Sequence, residues 1–462
     1  MDIIKLITQT LAITLGCLTA VMSILLFVRL RWPALVFWFL KLYVSALSTL
    51  LALISMVSCI VGLFTGSIFI ISIGAFGTLV FAIHIIRVTR PPDPSNSFEK
   101  AFGLNWEKQL KPEQKNYFLP GRLLLKLPVV PNPRMQQNIS FATIPRTGRQ
   151  LLCDIWQPPK GIRPSGLAFI YLHGSAFYFL DKDFFTRSFF SHLAAQGHVI
   201  MDVAYRLSPE TDMMGMVNDA KRAIAWMRDN ADTYKINPAR IVIGGGSAGG
   251  HLALLTAYTA NNPRFTPREL EGKVLSVTAV ISLYGTSDME ALYYHTNQHL
   301  TTRSVPGRQK KSVPTKMPSW IVKKMGTDYH RLGMDKGFEN TGTLAPLLGG
   351  HPDECPEQYK LFSVAKHVHS GCPPTLLIHG EDDIMAPVKS TRFLYTRLIE
   401  KDVPTVMHIL PQTDHAFDLI LPKISPSAHN AIYDVERFLG LITFQSQALA
   451  KRGVLNIIQH SN

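Results

Sequence analysis

Arg240-Ile241-Val242-Ile243-Gly244-Gly245-Gly246-Ser247-Ala248-Gly249-Gly250 is the stretch on which the fold turns. An apolar β-branched run passes through glycines into a serine, and a stretch of helical spacing, 248–260, follows. This is G-x-S-x-G set between a strand and a helix. The turn is sharp and holds its serine in a backbone conformation that nearby side chains would obstruct, hence the glycines. Ser247 then projects beyond the strand, where the helix N-terminus favours negative charge. A phosphate-binding loop would need Lys-Ser/Thr after its last glycine, and none is present. Ser247 is the candidate nucleophile.

A serine hydroxyl needs a base, and the base needs an orienting carboxylate. In strand–elbow–helix enzymes these follow in the order Ser, Asp, His. The run 374–379 leads into Gly380-Glu381-Asp382-Asp383, and the run 404–410 leads into Asp414-His415-Ala416-Phe417. Both segments fall at carboxyl ends of strands, where open α/β sheets build their sites. Asp383 is the candidate orienter, with Asp382 the adjacent competitor, and His415 is the candidate base. Developing negative charge on a reacting carbonyl needs fixed backbone donors. The Ala248 amide supplies one. Gly174 and Ser175 supply the other, within His173-Gly174-Ser175-Ala176 after the run 167–172.

Further candidate strands are 138–144, 151–156, 198–204 and 278–284; candidate helices are 184–196, 213–234, 390–400 and 428–442. Several runs are apolar on both faces, as strands inside a parallel sheet are. The alternation predicts an α/β fold, a mostly parallel eight-stranded sheet covered by helices. The stretch 287–345 breaks the rhythm and is predicted to be a cap, because long insertions between sheet strands are often lids. Residues 138–445 form the predicted catalytic domain and 446–462 a tail.

Together HGSA at 173–176, YRLSPE at 205–210, GGSAG at 245–249, GEDD at 380–383 and DHAF at 414–417 resemble the hormone-sensitive-lipase-like (fold-3) family of α/β-hydrolases. The resemblance covers roughly 140–440. It implies hydrolysis of carboxylic esters with hydrophobic acyl groups, no cofactor, and a cap over the pocket. HGSA stands where the family has HGGG, which implies a stiffer oxyanion loop and a narrower pocket. Gly246 stands where an acidic residue is usual. YRLSPE is expected to be structural, its arginine and glutamate pairing near the site.

Residues 1–90 are of a different kind. Their only charged residues are Asp2 against Lys5, Arg29, Arg31, Lys41, Arg87 and Arg90. About 20 apolar residues make a membrane-spanning helix, and three spans are predicted near 6–28, 36–61 and 67–86. A signal peptide is excluded because more apolar sequence follows Arg29-Leu30-Arg31-Trp32-Pro33. Lys41 is expected to snorkel to the interface beside Arg31. Arg29 and Arg31 in the first loop, with Arg87 and Arg90 after the third span, place the large domain on the cytoplasmic side. On that side the sequon at Asn138 would stay unmodified. Prolines 91, 92 and 94 open a linker, 91–137, that is a second candidate contributor to the cap.

The formal net charge is +14, yet the basic residues neither line one helix nor interleave with aromatics, so nucleic acid is not an expected partner. Membrane lipid and a lipophilic ester are. Five scattered cysteines without C-x-x-C spacing argue against a disulfide framework or zinc site. His367 and His369 are read as loop histidines, His251 and His379 as core histidines, and Phe184, Phe185, Phe189 and Phe190 as helical core aromatics. The leading reading is a membrane-anchored serine carboxylesterase or lipase. Amide or peptide hydrolysis uses the same triad, and the fold also serves as a non-catalytic ligand receptor where the base is lost. Oligomeric state has no signature here.

Overall fold

In the computed structural model, which describes residues 2–30, 35–110, 112–145, 147–296 and 344–460, the apolar N-terminal region forms α1 (Asp2–Leu25), α2 (Leu35–Ala46), α3 (Ser48–Thr65) and α4 (Ile68–Val88). Three of these, α1, α3 and α4, are long and apolar enough to cross a membrane. The α3–α4 turn uses Gly66 at φ 71° and Ser67 as the N-cap of α4. A side chain at Gly74 would collide with the Cys59 backbone, so the two helices approach as closely as small residues permit.

The predicted span 36–61 is divided at Leu47. The 12-residue α2 does not cross a membrane-thick layer; it packs into the α/β domain. Trp38 and Leu42 are buried in one core with Phe98, Phe169, Leu376 and Phe438. Lys41 does not snorkel to an interface. Its ammonium donates to Val28 O at 2.9 Å and to Asp382 Oδ2 at 2.9 Å, and its side chain is 1% exposed. A charge in an apolar stretch is tolerated here because a carboxylate meets it.

The eight predicted strands all form: β1 (Arg134–Thr143), β2 (Gln150–Gln157), β3 (Ala168–Leu172), β4 (Val199–Val203), β5 (Ile241–Gly246), β6 (Ala279–Leu283), β7 (Thr375–Gly380) and β8 (Thr405–Leu410). Their order is β1-β2-β4-β3-β5-β6-β7-β8. Strand β2 pairs antiparallel with β1 and β4, and the other pairings are parallel. Side chains alternate across the pleat, so each inner strand feeds two cores. On one face Ile170, Met201, Ile243 and Leu377 pack with α6 (Met213–Asp229) and α7 (Ala248–Tyr258). On the other, Tyr171, Ile200, Val242 and Ile378 pack with α5 (Arg187–Ala195), α9 (Pro426–His460) and α2. Helix α8 (Val388–Ile399) places Leu394 and Leu398 in the first core.

Helix α9 runs well past the expected 428–442 because no proline follows Pro426 to stop it. The supposed linker packs along α9. The Leu119 amide donates to Glu436 Oε1 at 2.8 Å, and Arg122 pairs with Asp434 at 2.7 Å. Most of the predicted cap, 297–343, lies outside the described residues.

Candidate active site

Strand β5 ends at Gly246 and α7 begins at Ala248, which leaves Ser247 alone in the turn at φ 55° and ψ −122°. Two positions, each two residues from it, can only be glycine. A Cβ on Gly245 or Gly249 would run into the carbonyl oxygen of Leu172. The Ser247 amide donates to Leu283 O at 2.9 Å, and its carbonyl accepts from His251 N at 3.0 Å, so the strained residue is held from both sides. Gly246, where a carboxylate was the family expectation, has a reason of its own. A Cβ there would lie 2.9 Å from Tyr284 Oη and 3.3 Å from Tyr171 Oη.

Ser247 Oγ lies 2.8 Å from His415 Nε2, and His415 Nδ1 lies 2.7 Å from Asp383 Oδ2. The three side chains that stand apart in sequence thus form one hydrogen-bonded chain. Asp383 Oδ1 accepts the amides of Met385 (2.8 Å) and Ala386 (2.7 Å), while Oδ2 also faces His379 Nε2 at 3.1 Å. Burial alone would raise the Asp383 carboxyl, but His415 and His379 outweigh it and hold it below the usual carboxylate range. The same charge holds His415 above its ordinary value, against a burial that would lower it. With Asp383 ionised, Nδ1 carries the proton and Nε2 is left to accept from Ser247.

Asp382, the competitor, faces the other way, toward Lys41 and Arg29 Nε (3.1 Å). Asp414 Oδ1 accepts the amides of Ile384 (2.9 Å) and His415 (2.8 Å), tying the acid-bearing turn to the base-bearing one. Burial and the Asp383 charge push Asp414 up to about 6. Three contributors went unread in the sequence. His379 is a second imidazole on the Asp383 carboxylate, not a bystander in the core. Tyr284 packs edge-on against the His415 ring at 4.7 Å and donates to Asp418, whose burial pushes it up to about 6. Only the position of His379, at the strand end before GEDD, could have signalled its part.

Gly174 packs against the elbow; a Cβ on it would lie 3.3 Å from Ser247 Cβ. Among the described residues the Gly174 and Ser175 amides donate to no protein acceptor, and the Ala248 amide, first in α7, has no intrahelical partner. The Ser175 hydroxyl bonds Tyr205 Oη at 2.8 Å and accepts the Phe177 amide at 2.9 Å. Tyr205 in turn donates to His173 O at 2.7 Å and stacks on the His173 ring. The serine of HGSA therefore braces the loop. Arg206 does not pair with Glu210; it forks onto Asp219 at 2.8 Å, and Glu210 pairs with Arg149 at 3.3 Å.

Of the four phenylalanines, Phe190 is core, against Tyr171 and Trp156. Phe184 and Phe185 precede α5, in a loop that Asp183 (φ 63°) and Phe185 (φ 58°) bend away from helix. They line a cavity of about 560 Å³ whose wall mixes apolar residues, Leu421, Pro422 and Ile424, with charged ones, Asp183, Arg187 and Lys423 among them. That cavity lies between the continuations of the Ser175 loop and the His415 loop. His367 and His369 donate to the Leu361 and Tyr258 carbonyls.

The sequence matches the BD-FAE family model over residues 153–398, more than half of the chain. Two curated relatives from Mycobacterium tuberculosis are similar to it. Esterase LipQ is 30% identical over 325 residues, 69% of this chain, and esterase LipC is 29% identical over 280 residues, 60% of this chain. The chain spans 66% and 60% of their lengths, under two thirds in each case. A truncated carbohydrate esterase from gut microbiota aligns over 68% of this chain and 99% of its own at 20% identity, with a TM-score of 0.49.

Proposed function

Because the chain belongs to the BD-FAE family, of the α/β-hydrolase fold, we propose that it is a serine carboxylesterase of lipophilic esters, held at a membrane by α1, α3 and α4. The observation that carries this reading is the unbroken Ser247–His415–Asp383 hydrogen-bonded chain. Ser247 Oγ attacks the ester carbonyl carbon while His415 Nε2 takes its proton. The negative oxygen is met by the Gly174, Ser175 and Ala248 amides. His415 then returns the proton to the departing alkoxide, leaving an acyl-Ser247. Water, activated by the same imidazole, releases the acid. Asp383 fixes the tautomer throughout. The apolar helices α1, α3 and α4 support a lipophilic substrate, because they would hold the site where such esters partition.

A salt bridge supports the cytoplasmic orientation. Arg29, in the loop after α1, reaches Asp382 of the catalytic domain, so that loop and the domain share one side. Positive residues mark that side as cytoplasmic.

The test is p-nitrophenyl ester hydrolysis by the full-length protein in nanodiscs, with a fluorophosphonate probe to titrate Ser247. Hydrolysis that survives Ser247→Ala refutes the reading, as does faster turnover of matched amides. Protease protection in sealed vesicles tests the orientation; a domain shielded from outside protease on cytoplasm-out vesicles refutes it.

A further inference from the structure

Lys41 is a buried charge that the mechanism leaves unused. It sits on α2, between two membrane-spanning helices, yet it ends within the hydrolase site. Its ammonium is 2.9 Å from Asp382 Oδ2, and that carboxylate immediately precedes the Asp383 that orients His415. Asp382 is only 4% exposed at its side chain. Its amide donates to Thr413 O at 3.0 Å, two residues before His415. Lys41 also acts on Asp414, the residue that ties the two turns together. Arg29 adds a second cation to Asp382 from the loop after α1, although it is itself 73% exposed. Ser45, one helical turn beyond Lys41, bonds His84 Nε2 of α4 at 3.1 Å, which ties α2 to a spanning helix.

We propose that Lys41 is a positioning residue for the acid–base pair, so that the segment joining α1 to α3 is a structural part of the active site. The inference rests on the serine-hydrolase reading above. The physical argument is the cost of a buried carboxylate that loses its buried partner. Without Lys41, Asp382 keeps only the exposed Arg29, and a turn toward that solvent-facing cation or toward water moves the turn on which Asp383 rides. A displacement of about 1 Å at a catalytic group costs on the order of 100-fold in rate.

The experiment uses the full chain in lipid nanodiscs, with the phosphonylation rate of Ser247 and ester kinetics read on the same samples. Lys41→Met is expected to lower kcat and the phosphonylation rate together by at least about 10-fold, with KM within about twofold. The acid limb of kcat/KM is expected to move to higher pH, since a cation facing Asp382 and Asp414 has gone. Lys41→Arg restores most of the rate, and Arg29→Ala, which removes an exposed partner, costs under about threefold. Where Lys41→Met does not fold, Lys41→Met/Asp382→Asn carries the measurement; it is expected to match Asp382→Asn alone within about twofold, because Lys41 acts through that carboxylate. A folded Lys41→Met with wild-type rates and an unmoved acid limb overturns the proposal. So does a double variant more than about 10-fold slower than Asp382→Asn alone. A wild-type protein that the fluorophosphonate does not label overturns the hydrolase reading instead, which keeps the two failures distinct.

Discussion

Buried imidazole–carboxylate pairs occur at two places in this molecule, with different consequences. At the candidate site Asp383 holds His415. Along α9 Asp434 holds His408 at 2.5 Å and Glu436 holds His192 at 2.7 Å. All three pairs are almost entirely buried. What separates them is the second ring nitrogen. That of His415 meets a serine hydroxyl at 2.8 Å, whereas Nδ1 of His192 meets no partner among the described residues. The carboxylates differ too. Asp434 is shared with Arg122 of the segment that follows the anchor, so its negative charge is used in clamping two chain segments together. A histidine held by a carboxylate is thus a scaffold element unless the chain also delivers a nucleophile to its far nitrogen.

The comparison breaks most visibly by substitution. His415→Ala is expected to cost about 10⁶ in kcat, as loss of one triad member does where the three act as a unit. His408→Ala is expected to leave turnover per active site unchanged but to lower stability by about 3–5 kcal/mol, because Asp434 keeps only half of its buried partners. Stopped-assay kinetics and thermal melts on the same preparations separate the two outcomes. Asp383→Asn comes next, at about 10⁴ in kcat with an intact fold, since an amide favours the wrong imidazole tautomer. His379→Gln is expected to cost about 10-fold, in line with one hydrogen bond to a charged group; a wild-type rate would make His379 a packing residue.

The smallest effect is in pH. His415 must be neutral to act, and its raised value puts the acid limb of kcat/KM above the ordinary imidazole value of about 6.5. The sign for stability is opposite for the two partners. Asp383 and Asp434 are both depressed, His408 and Arg122 acting on the latter against burial. Each therefore contributes stability that is present above the usual carboxylate range and lost as pH falls. The raised His415 contributes below its ordinary value and loses that contribution as pH rises. Activity against pH, with melting followed in parallel, checks both signs.

The sheet was legible because its signals are local. Strand β5, its glycines and the following helix occupy one continuous stretch, and the same holds for GEDD and DHAF. The choice of Asp383 over Asp382 was legible only as a preference, since what decides it is a lysine 341 residues away in sequence. The fate of 36–61 was hidden for the same reason. Its composition suits lipid, and only the folded domain shows that Trp38 and Leu42 have a protein surface to bury. Arg206 found Asp219, not Glu210, because helix α6 brings that carboxylate beneath it. Hydropathy counts apolar residues; it does not say which apolar phase they enter.

The placement of α2 also bears on how the protein is made. At typical synthesis rates of about 5–20 residues per second, Asp382 leaves the ribosome about 20–70 s after Lys41. By then α1, α3 and α4 have been available for insertion through most of that interval. Under the anchored reading proposed above, the sheet closes against a partner already stationed at the bilayer, and maturation of the enzyme and its delivery to the membrane become a single event.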